Sequence, residues 1–179
     1  ITVHVVRENV SDREPKTWVF LLIGALKGDK TELVVQKATE LGVSRIGVFS
    51  SRYCSAYMNE NKLERLNRVA REAAKQCLRA SVPRVEYYET LEEALRAGSE
   101  CVTRLFACEF LDETEKDLID TGATVCAVVG SEGGFAEEEY ALAQRLGYCG
   151  VSLGKRILRA ETAAIALLSV VMHEAGELG

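Results

Sequence analysis

The sequence lacks any long hydrophobic run. Its longest apolar stretches lie near Trp18–Ile23 and Ala163–Met172, and both are shorter than the ~20 residues that a membrane helix needs. We interpret them as a buried strand and a buried helix. The opening residues, Ile1–His4, also lack the basic start and apolar segment of a secretory signal. These absences predict a cytoplasmic protein without a membrane partner.

Patterns that bind metal are missing as well. The six cysteines, at positions 54, 77, 101, 108, 126 and 149, form no C-x-x-C pair, and the chain has only two histidines. The cysteine spacing fits neither a zinc ribbon nor a dense disulfide framework. We therefore expect no bound metal and free thiols, buried or half-buried, in a reducing compartment.

Charge is unevenly distributed along the chain. The net charge of −5 argues by itself against a polyanionic partner. However, residues 27–84 carry 12 basic and 6 acidic side chains, whereas residues 85–150 carry 4 basic and 15 acidic ones. A polyanion such as RNA would be steered to the first of these regions. A solvated helix face rich in arginine explains the same charge equally well.

Predicted strands and helices alternate from Lys16 onward. This alternation favours an α/β fold with an open, mostly parallel sheet and helices on both faces. Ligands of such sheets lie beyond the carboxyl ends of the strands, so the loops after Ala107, Val129 and Leu153 are candidate sites. The predicted strands are Thr17–Ile23, Arg45–Phe49, Val85–Tyr88, Cys101–Ala107, Thr124–Val129 and Val151–Leu153, after a separate short strand Thr2–Val6; the predicted helices are Asp29–Leu41, Asn61–Ala80, Leu91–Ala97, Glu137–Leu146 and Glu161–Ala175.

The first candidate site is Val128–Phe135, V-V-G-S-E-G-G-F, which follows a predicted strand and precedes a predicted helix. Its three glycines let the backbone turn tightly and approach a ligand closely. The spacing is neither G-x-G-x-x-G nor G-x-x-x-x-G-K-[ST], so the common dinucleotide and triphosphate sites are not supported. An ordinary strand-to-helix turn explains the segment equally well.

The second candidate site is Ser152–Ala164, S-L-G-K-R-I-L-R-A-E-T-A-A. A basic loop leads from a predicted strand to a helix whose first turn holds Glu161, a position that suits the helix dipole. A plain ion pair between Arg159 and Glu161 is the structural alternative. Two glycine-containing loops with charged side chains at strand ends exceed what one packed core requires, which favours a binding site.

A third stretch, Arg71–Arg79, carries a basic stripe. Arg71, Lys75 and Arg79 are each four residues apart and therefore share one face of the predicted helix. Such a stripe suits contact with RNA phosphates, although a solvated helix face has the same pattern.

Together these segments resemble the RsmE group of ribosomal RNA methyltransferases, which belongs to the SPOUT superfamily. The pairing of a G-x-E-G-G loop with a later L-G-x-R-I-L-R-x-E-T-A is specific, and the resemblance runs in order from about Lys16 to the C-terminus. The matching stretches are K-G-D-K-T-E-L-V-V-Q-K-A-T-E-L-G-V (Lys27–Val43), R-E-A-A-K-Q-C-L-R-A-S-V-P (Arg71–Pro83), G-S-E-G-G-F (Gly130–Phe135) and L-G-K-R-I-L-R-A-E-T-A (Leu153–Ala163).

The resemblance implies an α/β-knot fold, whose C-terminal part forms a deep trefoil knot of the kind that is rare among proteins. It also implies a homodimer that holds S-adenosylmethionine in the knot, and it assigns residues 15–179 to this methyltransferase domain. The cofactor-binding residues that it implies are Leu105, Phe106, Ala107, Val129, Gly130, Glu132, Gly133, Gly134, Leu153, Gly154, Ile157, Leu158 and Thr162.

The reaction implied by the resemblance is methylation of N3 of a uridine in 16S small-subunit ribosomal RNA. Uridine N3 carries a proton and is a poor nucleophile at neutral pH, so the site must favour the anion or remove the proton. Our hypothesis is that Arg159 stabilises negative charge on the uracil carbonyls, while Glu161 orients Arg159 or assists the proton's departure. The residues expected to contact RNA are Lys27, Lys30, Arg52, Arg71, Lys75 and Arg79.

The chain departs from the family pattern in two places. Ser131 stands where family members usually carry Pro, and we expect binding to survive if the glycines set the shape of the loop. The family also has an N-terminal PUA-like barrel that helps to grip RNA. Residues 1–14 are expected to be the remnant of such a domain or a linker, which affects RNA affinity more than catalysis.

Two alternatives to uridine methylation at N3 stay open from the sequence. Another SPOUT reaction, 2′-O-methylation of ribose, would use much the same cofactor loops. A catalytically silent, RNA-binding dimeric scaffold is the second alternative, although intact glycines and Arg159 weigh against it.

The helix Glu161–Ala175 is apolar nearly all round, which is typical of a helix buried on more than one side. A dimer interface or a single-domain core would each bury it.

Overall fold

The computed structural model describes residues 13–108, 111 and 124–179. The predicted strand Thr2–Val6 lies outside these residues. Strands and helices alternate along the described chain as predicted, except that the fourth and fifth strands follow one another. In chain order the elements are β1 (Val19–Gly24), α1 (Lys30–Glu40), β2 (Arg45–Phe49), α2 (Glu60–Gln76), β3 (Arg84–Tyr88), α3 (Leu91–Ala97), β4 (Thr103–Ala107), β5 (Val125–Val129), α4 (Glu137–Arg145), β6 (Cys149–Val151) and α5 (Ala160–Glu174).

The six strands form one sheet in the order β3-β2-β1-β5-β4-β6. Every neighbouring pair runs parallel. The central strands β1 and β5 are buried along their whole length, as apolar strands covered on both faces should be. The predicted α/β fold with an open parallel sheet is confirmed.

Helices cover both faces of the sheet. The alternating side chains of β1 divide the core, because successive residues of a strand point to opposite faces. Leu21 and Ile23 belong to the cluster that includes residues of α1, α2 and α5, whereas Phe20 and Leu22 belong to the cluster that includes residues of α3 and α4. The predicted helices on both faces are thus confirmed.

The helix α2 ends four residues earlier than predicted. It begins after Asn59, whose side chain accepts a hydrogen bond from the backbone N–H of Lys62. It ends at Gln76, and Leu78 then adopts a φ of 60°, a left-handed conformation that does not continue a helix. Arg79 therefore leaves the helix face that it was predicted to share with its basic neighbours.

The last strand also differs from its prediction. It spans Cys149–Val151 rather than Val151–Leu153, and it pairs with Leu105–Ala107 of β4. As an edge strand it takes its register from one neighbour only. Ser152 and Leu153 consequently lie outside the sheet, in the loop that precedes α5.

All six cysteines of the chain lie within the described residues. None of them forms a disulfide, and Cys149 is the exposed one. Within the described ranges, no helix combines the length and apolar character needed to cross a bilayer. In the same ranges, no three His, Cys, Asp or Glu side chains are grouped as metal ligands.

Candidate active site

A cavity of about 860 Å³ lies beyond the carboxyl ends of β4, β5 and β6, where parallel sheets place their ligands. Its walls come from the strand ends, the loops that follow them and the first turns of α1 and α5. The lining residues are Lys30, Ala107, Cys108, Leu111, Val129, Gly130, Ser131, Glu132, Gly134, Ser152, Leu153, Gly154, Lys155, Arg156, Ile157, Leu158, Arg159, Ala160 and Ala163.

The wall after β5 is a tight turn. Ser131 and Gly134 form an antiparallel bridge, and the Gly134 N–H donates to the Ser131 carbonyl at 3.0 Å. Gly134 has a φ of 66°, a conformation that glycine adopts without the steric cost of a Cβ. A Cβ on Gly24, at the end of β1, would approach the Ser131 nitrogen to 2.5 Å. The turn therefore packs directly on the neighbouring strand.

The carboxylate of Glu132 joins this turn to the start of α1. Its Oε1 accepts hydrogen bonds from the Lys27 backbone N–H at 3.1 Å and from the Lys30 ammonium at 3.3 Å. Partial burial alone would raise the pKa of Glu132. Hydrogen bonds from its own backbone N–H, from Lys27 and from Lys30 outweigh burial and lower that pKa. Glu132 is therefore ionised at neutral pH and already engaged by protein donors.

A second carboxylate, that of Glu161, faces the same lysine from the first turn of α5. Glu161 Oε1 lies 3.8 Å from Lys30 Nζ, and the Glu161 side chain is 12% exposed. Its Oε2 is buried and has no hydrogen-bond partner among the described residues. The buried hydroxyl of Ser131, a residue that lines the cavity, has none there either. Polar atoms with unused hydrogen-bonding capacity therefore lie in the cavity wall, at Ser131, and beside it, at Glu161.

Arg159 flanks the N-terminus of α5 with an extended backbone. It is exposed, lines the cavity and forms no ion pair with any described residue. The alternative of a plain ion pair between Arg159 and Glu161 is therefore wrong, because Glu161 pairs with Lys30 instead. The same contact argues against Glu161 as the group that orients Arg159.

The cavity gathers most of the residues that were predicted to bind the cofactor. Four of the predicted residues do not line it. Leu105 and Phe106 of β4 point into the core clusters on the two sheet faces. Gly133 lies against Tyr53, where a Cβ would approach that residue's Cβ to 2.6 Å. Thr162 is exposed on α5. Those that line the cavity are Ala107, Val129, Gly130, Glu132, Gly134, Leu153, Gly154, Ile157 and Leu158.

Sequence reasoning missed several lining residues. Ser131 and Lys155 lie inside the two predicted loops, so loop membership was the available signal for them. Cys108 directly follows β4, one position beyond the predicted cofactor residues. No local signal indicated that Lys30 lines the cavity, because its partners are more than 100 residues away along the chain.

The six predicted RNA contacts fall into different environments. Lys27, Arg71 and Lys75 are exposed, and Lys75 pairs with a neighbouring glutamate on α2. Arg52 is exposed too and pairs with Glu138 at 3.2 Å. Lys30 lies in the cavity between two carboxylates rather than on an open surface.

The prediction that Arg79 contacts RNA is wrong. Its side chain is only 5% exposed, and its guanidinium pairs with Glu14 at 2.9 Å. The same guanidinium donates to the carbonyls of Thr39 and Val43. The early end of α2 turns Arg79 inward, so its donors stabilise the fold and are not available to a phosphate.

The fold and the site together define a parallel α/β protein with a cofactor-sized cavity at the carboxyl edge of its sheet. The chain belongs to the RNA methyltransferase domain family, which matches residues 13–172. A relative from Mesomycoplasma hyopneumoniae, named ribosomal RNA small subunit methyltransferase E, is 32% identical over 92% of this chain and 74% of its own length.

The solved structures that are similar to this fold include two methyltransferases. A Legionella pneumophila protein described as a methyltransferase in complex with the bound cofactor SAM matches with a TM-score of 0.84 and 30% identity, over 90% of this chain and 68% of that one. A ribosomal RNA small subunit methyltransferase E from Neisseria gonorrhoeae, bound to S-adenosyl methionine, matches with a TM-score of 0.82 and 29% identity, over 93% and 70%.

Proposed function

We propose that this chain is an S-adenosylmethionine-dependent methyltransferase that modifies N3 of a uridine in 16S small-subunit ribosomal RNA. The observation that carries the proposal is the cavity built from two glycine-containing loops at strand ends, with Arg159 and Glu161 beside it. The names of the relative and the solved structures support the cofactor and the ribosomal RNA substrate.

The cavity suits S-adenosylmethionine in size and in chemistry. Its volume of about 860 Å³ falls in the range of roughly 300–1,000 Å³ that is usual for small-molecule sites. The turn around Gly134 presents backbone close to the cavity, and Ser131 offers an unused hydroxyl. When bound, S-adenosylmethionine supplies a methyl group on a positively charged sulfonium.

The chain's own residues then prepare the base. Arg159 is exposed at the cavity and without an ion pair in the described chain, so its guanidinium is available to the uracil carbonyls, where negative charge develops. Glu161 retains a carboxylate oxygen without a partner among the described residues. We assign to that oxygen the hydrogen bond from uracil N3–H and assistance with the proton's departure.

We also propose an RNA-binding surface, the extent of the domain, its topology, its assembly and its location. The exposed basic residues Lys27, Arg52, Arg71 and Lys75 are the proposed RNA surface, and the domain is proposed to span residues 15–179. A trefoil knot in the C-terminal part, a homodimer and a cytoplasmic location complete the proposal.

The test uses ribosomal RNA from a strain that lacks the gene. Purified protein is incubated with this RNA and labelled S-adenosylmethionine, and the digested nucleosides are separated by mass spectrometry. We expect 3-methyluridine as the labelled product. A 2′-O-methylated nucleoside as the labelled product would contradict methylation at N3 and would support the ribose reaction. Titration calorimetry that shows no S-adenosylmethionine binding would support the silent scaffold instead.

A further inference from the structure

Lys30 lies between two carboxylates that come from distant parts of the chain. Its ammonium is 3.3 Å from Glu132 Oε1, on the loop after β5, and 3.8 Å from Glu161 Oε1, on α5. Lys30 itself is the first residue of α1. One cation therefore connects the three segments that form this side of the cavity.

The position of Lys30 is electrostatically unusual. A positive charge in the first turn of a helix is unfavourable, because the N-terminus of the helix dipole is itself positive. Glu132 and Glu161 offset this charge, and they also make Lys30 a poor ligand for phosphate, since an RNA backbone would have to displace or approach two carboxylates. The arrangement fits a role inside the cavity better than a role on the RNA surface.

The two carboxylates differ in the acceptor capacity that they have left. Glu132 Oε1 is shared by the Lys27 backbone N–H and the Lys30 ammonium. Glu161 Oε1 forms an ion pair with Lys30 at 3.8 Å, beyond hydrogen-bond distance, while its buried Oε2 has no hydrogen-bond partner among the described residues. An unpaired acceptor away from water is costly, so this atom is suited to a donor that enters with a ligand.

We propose that Lys30 is a positioning residue for Glu161: from its place in the cavity lining it holds the Glu161 carboxylate, which lies beside the cavity, through an ion pair with Oε1, and it leaves the buried Oε2, which has no protein partner among the described residues, for the incoming base. This rests on the proposed function, in which that oxygen receives uracil N3–H. Glu132 anchors the lysine from the opposite side. Lys30 is thus removed from the predicted RNA contacts and joined to the catalytic arrangement.

A double-mutant cycle tests the coupling. Turnover and KM for RNA are measured for Lys30→Met, Glu161→Gln and the double variant. We expect Lys30→Met to lower kcat by about 10- to 100-fold through misplacement of the carboxylate, with KM for RNA little changed. Because the two residues act as a unit, the double variant should be no slower than Glu161→Gln alone. Lys30→Arg, which keeps the charge, should restore most of the activity.

Lys37→Met is the matched control, because Lys37 lies on the same helix and pairs with Glu40 outside the cavity. It should leave kcat unchanged. Losses that simply multiply in the double variant, or a raised KM for RNA with normal kcat in Lys30→Met, would overturn the positioning role and return Lys30 to the RNA surface.

A crystal structure of the Lys30→Met protein gives a readout that does not depend on activity. We expect the Glu161 carboxylate to leave the position that it has beside residue 30, while α5 stays folded. An unmoved carboxylate would refute the proposal. If the wild-type protein yields no 3-methyluridine but Glu161 moves as expected, the proposed reaction fails while the positioning role stands.

Discussion

The cavity and the arginine corner, which consists of Arg79 with Glu14, Thr39 and Val43, both hold charged groups away from solvent. In the corner every group has a partner. Arg79 Nη1 donates to the carbonyls of Thr39 at 3.0 Å and Val43 at 2.8 Å, while Nε and Nη2 donate to Glu14 Oε2 at 3.3 and 2.9 Å. The corner is therefore a closed network that stabilises the fold.

The cavity differs because it leaves capacity unused. Glu161 Oε2 and the Ser131 hydroxyl are buried without partners among the described residues, and Arg159 lines the space without an ion pair there. Unsatisfied buried groups reduce stability, so they are best explained where a ligand completes them. The comparison shows that an arginine's role follows from its remaining donors rather than from its residue type.

The largest expected effect concerns Arg159. If it stabilises charge on the base, Arg159→Met should lower kcat by about 100- to 1,000-fold, the usual cost of removing one such donor. The free energy of unfolding should hardly change, since the side chain is exposed and unpaired within the described chain. Methyl transfer and chemical denaturation are measured on the same preparation.

Arg145→Met provides the control for that experiment. Arg145 is an exposed arginine in the last turn of α4 and does not line the cavity. Its replacement should alter neither turnover nor stability. Full turnover in Arg159→Met would show that Arg159 has no role in catalysis. The proposed difference in role between Arg159 and the arginine corner would then be wrong.

The next effect concerns Arg79 and changes stability, whereas the Arg159 substitution changes turnover. Arg79→Met leaves the carbonyls of Thr39 and Val43 and one carboxylate oxygen of Glu14, Oε2, without their donor, which should lower the free energy of unfolding by about 2–3 kcal/mol. The exposed pair of Arg65 with Glu32 offers a control, because Arg65→Met should cost about 1 kcal/mol or less. Equal losses in the two variants, measured by urea unfolding, would show that the corner is no stronger than a surface pair.

The two arginines also show how far sequence reasoning reaches. Alternating apolar segments predicted the parallel sheet, and β2 and α3 have the bounds that were predicted. The inward turn of Arg79 was not predictable, because it depends on a left-handed Leu78 and on carbonyls 36 and 40 residues away. Lys30 is similar: its charge was visible in the sequence, but its distant carboxylate partners were not.

The smallest expected effect is a pH dependence of stability that originates in the corner. Partial burial would raise the pKa of Glu14, but hydrogen bonds from Arg79 and from the backbone N–H groups of Ser81 and Ala80 outweigh it and lower the pKa below its ordinary 4.5. Because the folded state holds the Glu14 proton less tightly than the unfolded state does, ionised Glu14 stabilises the fold. This contribution to the free energy of unfolding is complete above pH 4.5 and is lost as the pH falls through the pKa that Glu14 has in the folded state.

Glu14→Gln should therefore flatten the fall of the unfolding free energy with acidification below pH 4.5. Glu72→Gln is the matched control: the Lys75 hydrogen bond lowers the pKa of Glu72 too, but this pair is well exposed. At high salt the exposed Lys75–Glu72 pair should lose its influence on the slope of the unfolding free energy against pH, because exposed charges are screened more than partly buried ones. The Glu14 effect should persist, since only 26% of that side chain is exposed. Equal salt sensitivity of the two slopes would contradict the picture of a closed, partly buried corner.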